Sequence, residues 1–420
     1  MPFNMKWNRR SFFGAAAAFG GAILAPRQSL TNNQATKPKS TPTVTGFGQT
    51  GNPYEELGVA TVINCDGTMT TLGGSLLRPE LEAVMAMAGG HFVHMTELEQ
   101  AAGKRISEML KLPEGYSALV TSGAAAAIQS GLAGILTGDN EALIRQLPDL
   151  TGMKSEVIIQ KSHRNPFDHQ LRSTGIKLIE IETPEQLRQA VNERTAMMHF
   201  TNFANAAGQI KVDEWLKLAK QYSIPCMNDA AADTPPVSHL WDYANMGYDM
   251  ITFSGGKAMR GPQCAGLLIG RKDLVAHALL NNSPHEDTIG RSQKVGKEEI
   301  IGMVKALELY LHEDHDALAN EWQDRLAGIA RELAKVPGVS TSFFTPEIAN
   351  HVPHMQIAWD ARISLSAEQV SKSLRNAKPA IVMSPGEDRP GLVMNSFMLQ
   401  PGEDKIIAEQ LTRILRGHSA

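Results

Sequence analysis

A chain of 420 residues with 42% hydrophobic and 20% charged side chains is globular and long enough for two domains with sizeable cores. Its net charge of -4 and isoelectric point near 6.4 leave no electrostatic footprint for nucleic acid, and no apolar run reaches the ~18 residues a bilayer span needs. Cys65, Cys226 and Cys264 are widely spaced without a CxxC, so neither a disulfide framework nor a zinc site is expected.

Lys6, Arg9 and Arg10 precede Phe12-Phe13 and a small-residue apolar run over residues 14–25. That is the layout of an export signal of the twin-arginine type, which implies a periplasmic or otherwise exported protein. Ala25 stands before Pro26, and Ile23 occupies the position that prefers a small residue, so both cleavage and retention as an anchor stay open. Residues 26–53 are too polar to pack and read as a linker. The expected division is a signal segment at 1–25, this linker, a large domain at 54–297, and a linking helix with a small domain at 298–420.

Residues 57–63 have the composition of a strand and open into NCDGTMTTLGGS, where glycines alternate with hydroxyls. Thr68, Gly73 and Ser75 there suit either a ligand-approaching loop or a plain turn. Helical spacing covers residues 79–88 and 97–110, with His91 and His94 between them; lacking a third ligand, these read as ordinary histidines. A strand at 118–121 stops at Ser122-Gly123, and the alanine-rich residues 124–136 form a helix. Strand, Ser-Gly and helix N-terminus make a phosphate cradle, in which Ser122, Gly123 and the amide of Ala124 face outward with the helix dipole behind them.

A strand at 157–160 ends at Lys161-Ser162-His163-Arg164. His163 there suits either stacking on a heteroaromatic ring or a solvated basic loop. Strands at 178–181 and 196–200, alternating with helical segments, mark a βα-built, mostly parallel sheet whose ligands bind at the carboxyl ends of its strands. Residues 223–228 end in Asp229, followed by three alanines. A carboxylate at the end of a buried strand is expensive unless it meets a cation. Pro235-Pro236 weakens the alternative of a helix N-cap.

Residues 250–253 form a short buried strand that ends in Ser254-Gly255-Gly256-Lys257, and a second apolar run at 264–270 returns beside it. A lysine held between apolar strands has a lowered pKa and becomes a nucleophile towards carbonyls. A surface lysine on a glycine turn is the bland alternative. A P-loop is excluded, because Ile251 stands where its first glycine would fall.

The order of cradle, ring-facing side chain, strand-end aspartate and lysine resembles a fold-type-I pyridoxal-5'-phosphate (PLP) enzyme. INCDGTMTTLGGS, TSGAAAAI, KSHRNPFDH, NDAAADTPP, FSGGKAMRGPQCAGLLIGR and GRSQKVGKEEIIGMVKALELYL are similar to the group containing selenocysteine synthase and D-glucosaminate-6-phosphate ammonia-lyase. The resemblance implies an aspartate-aminotransferase-like fold, with a seven-stranded-type sheet and a small α+β domain. It makes Lys257 the Schiff-base lysine and mover of the Cα proton, and Asp229 the partner of the pyridine nitrogen. Ser122, Gly123, Ala124 and Ser254 become phosphate ligands, and His163 stacks on the ring. Thr68, Gly73, Ser75, Arg164, Arg291 and Lys297 are substrate candidates; Lys294 shares the basic turn, for which solvation is an equal alternative. Relatives often carry an arginine near Met383, which this chain lacks.

Selenium transfer to tRNA is not expected, because no N-terminal helical domain fits before Tyr54. The implied activity is α,β-elimination on an amino acid or amino-sugar acid, with an aminotransferase or racemase next, and an exported non-catalytic binding protein from another class. The implied partner is an amino-acid-like small molecule, with neither nucleic acid nor metal, in a homodimer or larger homo-oligomer with its site at the interface.

Residues 298–311 read as the helix linking the two domains, and His312 to Asp316 as a polar face of a helical stretch running to Ala334. Strands near 355–359, 380–383 and 392–395 and two helices, one opened by a Ser366 capping box, complete the small domain.

Overall fold

The computed structural model describes Gly48 and residues 51–417; the twin-arginine segment and most of the linker lie outside the described residues. Pro53–Glu56 form a short helix with Pro53 in its first turn and Asn52 as its cap. From Ala60 onward the described residues form a separate unit with three sheets, of seven, four and two strands, and three hydrophobic core clusters.

The larger sheet contains β2 (Tyr116–Thr121), β3 (Glu156–Gln160), β4 (Lys177–Ile181), β5 (Thr195–Thr201), β6 (Cys226–Asp229), β7 (Met250–Ser254) and β8 (Gly266–Arg271). Their order is β2-β8-β7-β6-β5-β3-β4. Only β8 runs antiparallel to its neighbours, so the expected mostly parallel, seven-stranded sheet is present. β3, β5 and β6 are buried at every residue, as strands covered by helices on both faces must be. The carboxyl ends of β2, β3, β5, β6 and β7 share one edge, and β8 starts there.

The smaller sheet has the order β12-β13-β10-β9, from β9 (Val339–Phe344), β10 (His354–Trp359), β12 (Ser384–Pro385) and β13 (Leu392–Asn395). Its helices are His315–Leu333, Ala367–Arg375 and Glu403–Arg416. Ser366 accepts from Gln369 N in the capping box its sequence predicts.

Three expectations need correction. β1 (Val62–Asn64), expected in the large domain, pairs in parallel with β11 (Ala380–Val382). Ile63 and Cys65 accordingly pack in the second core, with Ile381 and Met383. β9 was not anticipated, because its Ser/Thr-rich run is largely half-exposed. The helical stretch expected to continue through His312–Asp316 is broken: one helix ends at Leu311, and Asp314 caps the next by accepting from Ala317 N at 2.9 Å.

Candidate active site

The sheet registers bring the predicted residues together. Thr121 at the end of β2 and Ser254 at the end of β7 both pair with Gly266, the first residue of β8. The cradle after β2 and Ser254 therefore flank one strand. A Cβ at Gly266 would lie 2.6 Å from the Gly123 carbonyl carbon and 2.7 Å from Ala124 N, so only glycine lets β8 pass beneath the cradle. Ser122 occupies the N-cap of the helix Gly123–Thr137 without a side-chain capping bond. The first-turn amides of that helix are the donors a helix leaves unpaired, backed by its dipole.

On the adjoining strand Asp229 pairs in register with Thr252 and is 6% exposed. No helix starts after it; its carboxylate instead accepts from Ala231 N at 3.2 Å, and the next helix begins at His239. The N-cap alternative is thereby removed. Burial pushes the Asp229 carboxyl up, opposed by the Ala231 amide and the Lys257 ammonium. Burial also pushes Lys257 down, opposed by two carboxylates, Asp229 and Asp233. A half-buried amine facing two buried carboxylates is costly as a plain structural feature and suited to a cofactor that carries both a carbonyl and a basic ring nitrogen.

Asp233 was missed from the sequence. It is 1% exposed, and its Oδ2 accepts from Asn202 Nδ2 at 2.6 Å and from the Tyr243 hydroxyl at 3.1 Å. Burial, then the charge of Asp229, pushes its carboxyl up to about 7 despite both donors. The available signal was a second acid four residues after the first in a stretch otherwise too small and apolar to solvate it.

The loop after β1 reaches the lysine turn. Ser75 N donates to the Gly256 carbonyl at 3.0 Å, and the Ser75 hydroxyl is buried without a partner. A Cβ on Gly74 would lie 2.8 Å from that same carbonyl. Arg260 N donates to the Lys257 carbonyl at 2.9 Å, with Arg260 in the left-handed region at φ 52. From the other side, Asn350 N donates at 2.7 Å to the carbonyl of Ala232, between the two aspartates.

The remaining candidates do not all converge. His163, just past the end of β3, is 1% exposed. Thr201 N donates to its Nδ1 at 3.2 Å, Gln160 Nε2 lies 3.1 Å from its Nε2, and Phe200 meets it edge-on. Burial pushes its pKa down to about 4, which keeps the imidazole neutral. Arg164 is held by Asp168 at 2.5 Å and by Glu180, and Lys297 by Glu298, so these two substrate candidates are engaged elsewhere. Thr68 is buried beside Asn395 through its neighbour Gly67, Gly73 closes a short turn at φ 88, and Arg291 is half-exposed with Lys294 exposed. His91 binds the Met87 carbonyl, and no group of three or more metal-ligating side chains exists among the described residues.

Residues 82–289 match the aminotransferase class-V family. The chain carries a class-V aminotransferase domain. It is 28% identical over 382 residues to the D-glucosaminate-6-phosphate ammonia lyase of Salmonella typhimurium, covering 87% of this chain and 98% of that one. It is 24% identical over 422 residues to the L-seryl-tRNA(Sec) selenium transferase of Alkaliphilus oremlandii, covering 86% and 84%. A solved structure of D-glucosaminate-6-phosphate ammonia-lyase superposes with a TM-score of 0.76 at 27% identity, over 88% of this chain and 99% of that one. The protein is a PLP-dependent enzyme of the class-V aminotransferase superfamily, with the fold-type-I architecture. The residues present fit that cofactor. Lys257 supplies the amine, buried Asp229 requires a cation opposite it, and the cradle with Ser254 presents donors across a strand that only a glycine permits.

Proposed function

We propose that this class-V enzyme is a lyase of the ammonia-lyase type, acting on an amino acid or amino-sugar acid. The observation that carries the reading is that Asp229 ends β6 in register with Thr252, two residues before the Ser254 that shares Gly266 with the anion cradle, while the Lys257 amine three residues on lies within the field of Asp229 and Asp233. The relative that is 28% identical along 98% of its length supports the reaction type.

When bound, PLP supplies an electron sink that acidifies the Cα–H of an amino acid. Asp229 keeps the ring nitrogen protonated by holding a negative charge in a buried place, and the helix N-terminus after Ser122 anchors the phosphate. Lys257, its basicity lowered by burial, takes the Cα proton at Nζ and holds it near the departing β-substituent. For a β-hydroxyl the balance is loss of water, then hydrolysis to a 2-oxo acid and ammonium. Ser75, anchored to Gly256 and with an unpartnered hydroxyl, orients the substrate beside the lysine.

Export by the twin-arginine route to the periplasm belongs to the same proposal, resting on residues 1–25. So does a homo-oligomer: Leu76 and Leu77 just after Ser75, and Met87, Phe92 and Val93 at and beyond the end of the helix Pro79–Gly89, are exposed apolar side chains of the kind a second copy would cover. The test is a panel of amino acids and amino-sugar acids assayed for ammonia and 2-oxo acid release. Transamination without ammonia, or racemisation alone, would sink the lyase reading. A reporter fused behind residues 1–30, blocked by Arg9→Lys with Arg10→Lys, checks export, and sedimentation checks the oligomer.

A further inference from the structure

Beside the smaller sheet lies a cavity of about 340 Å³ whose lining the proposed mechanism does not use. Two chain segments join it to the catalytic strand ends. Met69 lines the cavity, and the same loop reaches Gly256 at Ser75; His354 lines it, and the loop before His354 reaches Ala232 at Asn350.

Its polar lining consists mostly of acceptors. His354 Nδ1 lies 2.7 Å from the Val352 carbonyl and donates to it, which leaves Nε2 as an acceptor. Burial pushes that ring towards its neutral form. The Asp66 carboxylate accepts from Ser384 N at 2.8 Å and Ser384 Oγ at 2.6 Å and keeps further lone pairs free. Glu387 and Asp388 add two carboxylates on the rim. The donors are few. Asn395 is 6% exposed, and its Nδ2 makes only a 3.5 Å contact with His354 Nε2. Arg389 is the single guanidinium, lying 4.0 Å over the Phe344 ring. One cation thus stands against three carboxylates.

We propose that this cavity binds the hydroxylated tail of the substrate and selects a polyhydroxylated chain without a terminal phosphate. Hydroxyls donate to the acceptors of His354 and Asp66 and accept from Asn395, whereas a phosphate monoester carries only acceptors and negative charge. Phe344 stacks against the His354 ring and carries Arg389 over its own, which holds both side chains at the cavity wall. The proposal rests on the reading of the enzyme as a lyase for amino-sugar acids. It departs from the phosphorylated substrate in the name of the Salmonella relative.

The test is calorimetric titration of the PLP-loaded, full-length protein with D-gluconate and 6-phospho-D-gluconate, which lack the amine and cannot react. Ammonia release from D-glucosaminate and its 6-phosphate is assayed alongside. Gluconate is expected to bind at least tenfold more tightly than its phosphate. Asp66→Asn and Asn395→Ala should each weaken gluconate by about tenfold without altering the cofactor absorption band, and Glu387→Gln with Asp388→Asn should narrow the discrimination. Equal or tighter binding of the phosphate overturns the proposal, as does gluconate binding that Asp66→Asn leaves unchanged. Selective gluconate binding without ammonia from any amino acid supports the cavity assignment and sinks the lyase reading. Ammonia release with preference for the phosphorylated acid does the reverse.

Discussion

The strand-end site and the cavity beside the smaller sheet are built in opposite ways. At the strand ends, Asp229 closes the fully buried β6 in register with Thr252, and Asp233 follows in the loop at 1% exposure, so both carboxylates are held away from water. In the cavity, Asp66, Ser384 and Arg389 lie on loops and a two-residue strand, largely exposed, with charges that solvent screens. Chemistry that any amino acid can undergo is assigned to the rigid part. Discrimination between substrates falls to the part whose contacts are individually weak and easily replaced.

That contrast is broken most severely at the lysine. Lys257→Ala should abolish the cofactor absorption band and lower turnover by on the order of 10³-fold or more, since it removes both nucleophile and proton carrier. Full activity in that variant would move the chemistry elsewhere. Asp229→Asn removes the charge that keeps the ring nitrogen protonated; turnover should fall by about 10²-fold, with a shifted absorption band, while the fold is retained. At Ser75, by contrast, alanine should raise KM several-fold with little change in kcat, because the hydroxyl only orients substrate. A kcat loss as large as that of Asp229→Asn would place Ser75 in the chemistry itself rather than in substrate orientation.

Sequence patterns reveal the strand-end region well because burial leaves marks there. Continuous apolar strands end in Asp229 and Ser254, glycines allow backbone contact, and the lysine follows a Gly-Gly break. The contacts of His163 were less legible, because a strand-end histidine gives no sign that its ring nitrogens will meet Thr201 N and Gln160 Nε2. The pairing of β1 with β11 was hidden because two three-residue strands more than 300 positions apart share no periodic signal. The cavity was less visible still. His354 and Asn395 sit on two strands legible in the sequence, but their pairing in register, and the approach of Asp66 from the loop after β1, arise only in the tertiary fold.

The mildest test concerns Asp233, and its sign follows from linkage. Its carboxyl is raised to about 7 in the folded protein, against roughly 3.9 for an unfolded chain. Between those values the native state keeps a proton that the unfolded chain has released. Stability from this group is therefore full below about pH 4 and is lost as pH rises through 7. Asn202 and Tyr243 still donate to the ionised form, which limits the loss to on the order of 2–4 kcal/mol. Asp233→Asn keeps the shape and cannot ionise, so denaturant midpoints of the cofactor-free variant should vary less between pH 4 and 7 than those of the parent. An unchanged pH slope would mean that Asp233 titrates like a surface carboxylate, and the buried pair opposite Lys257 would reduce to Asp229 alone.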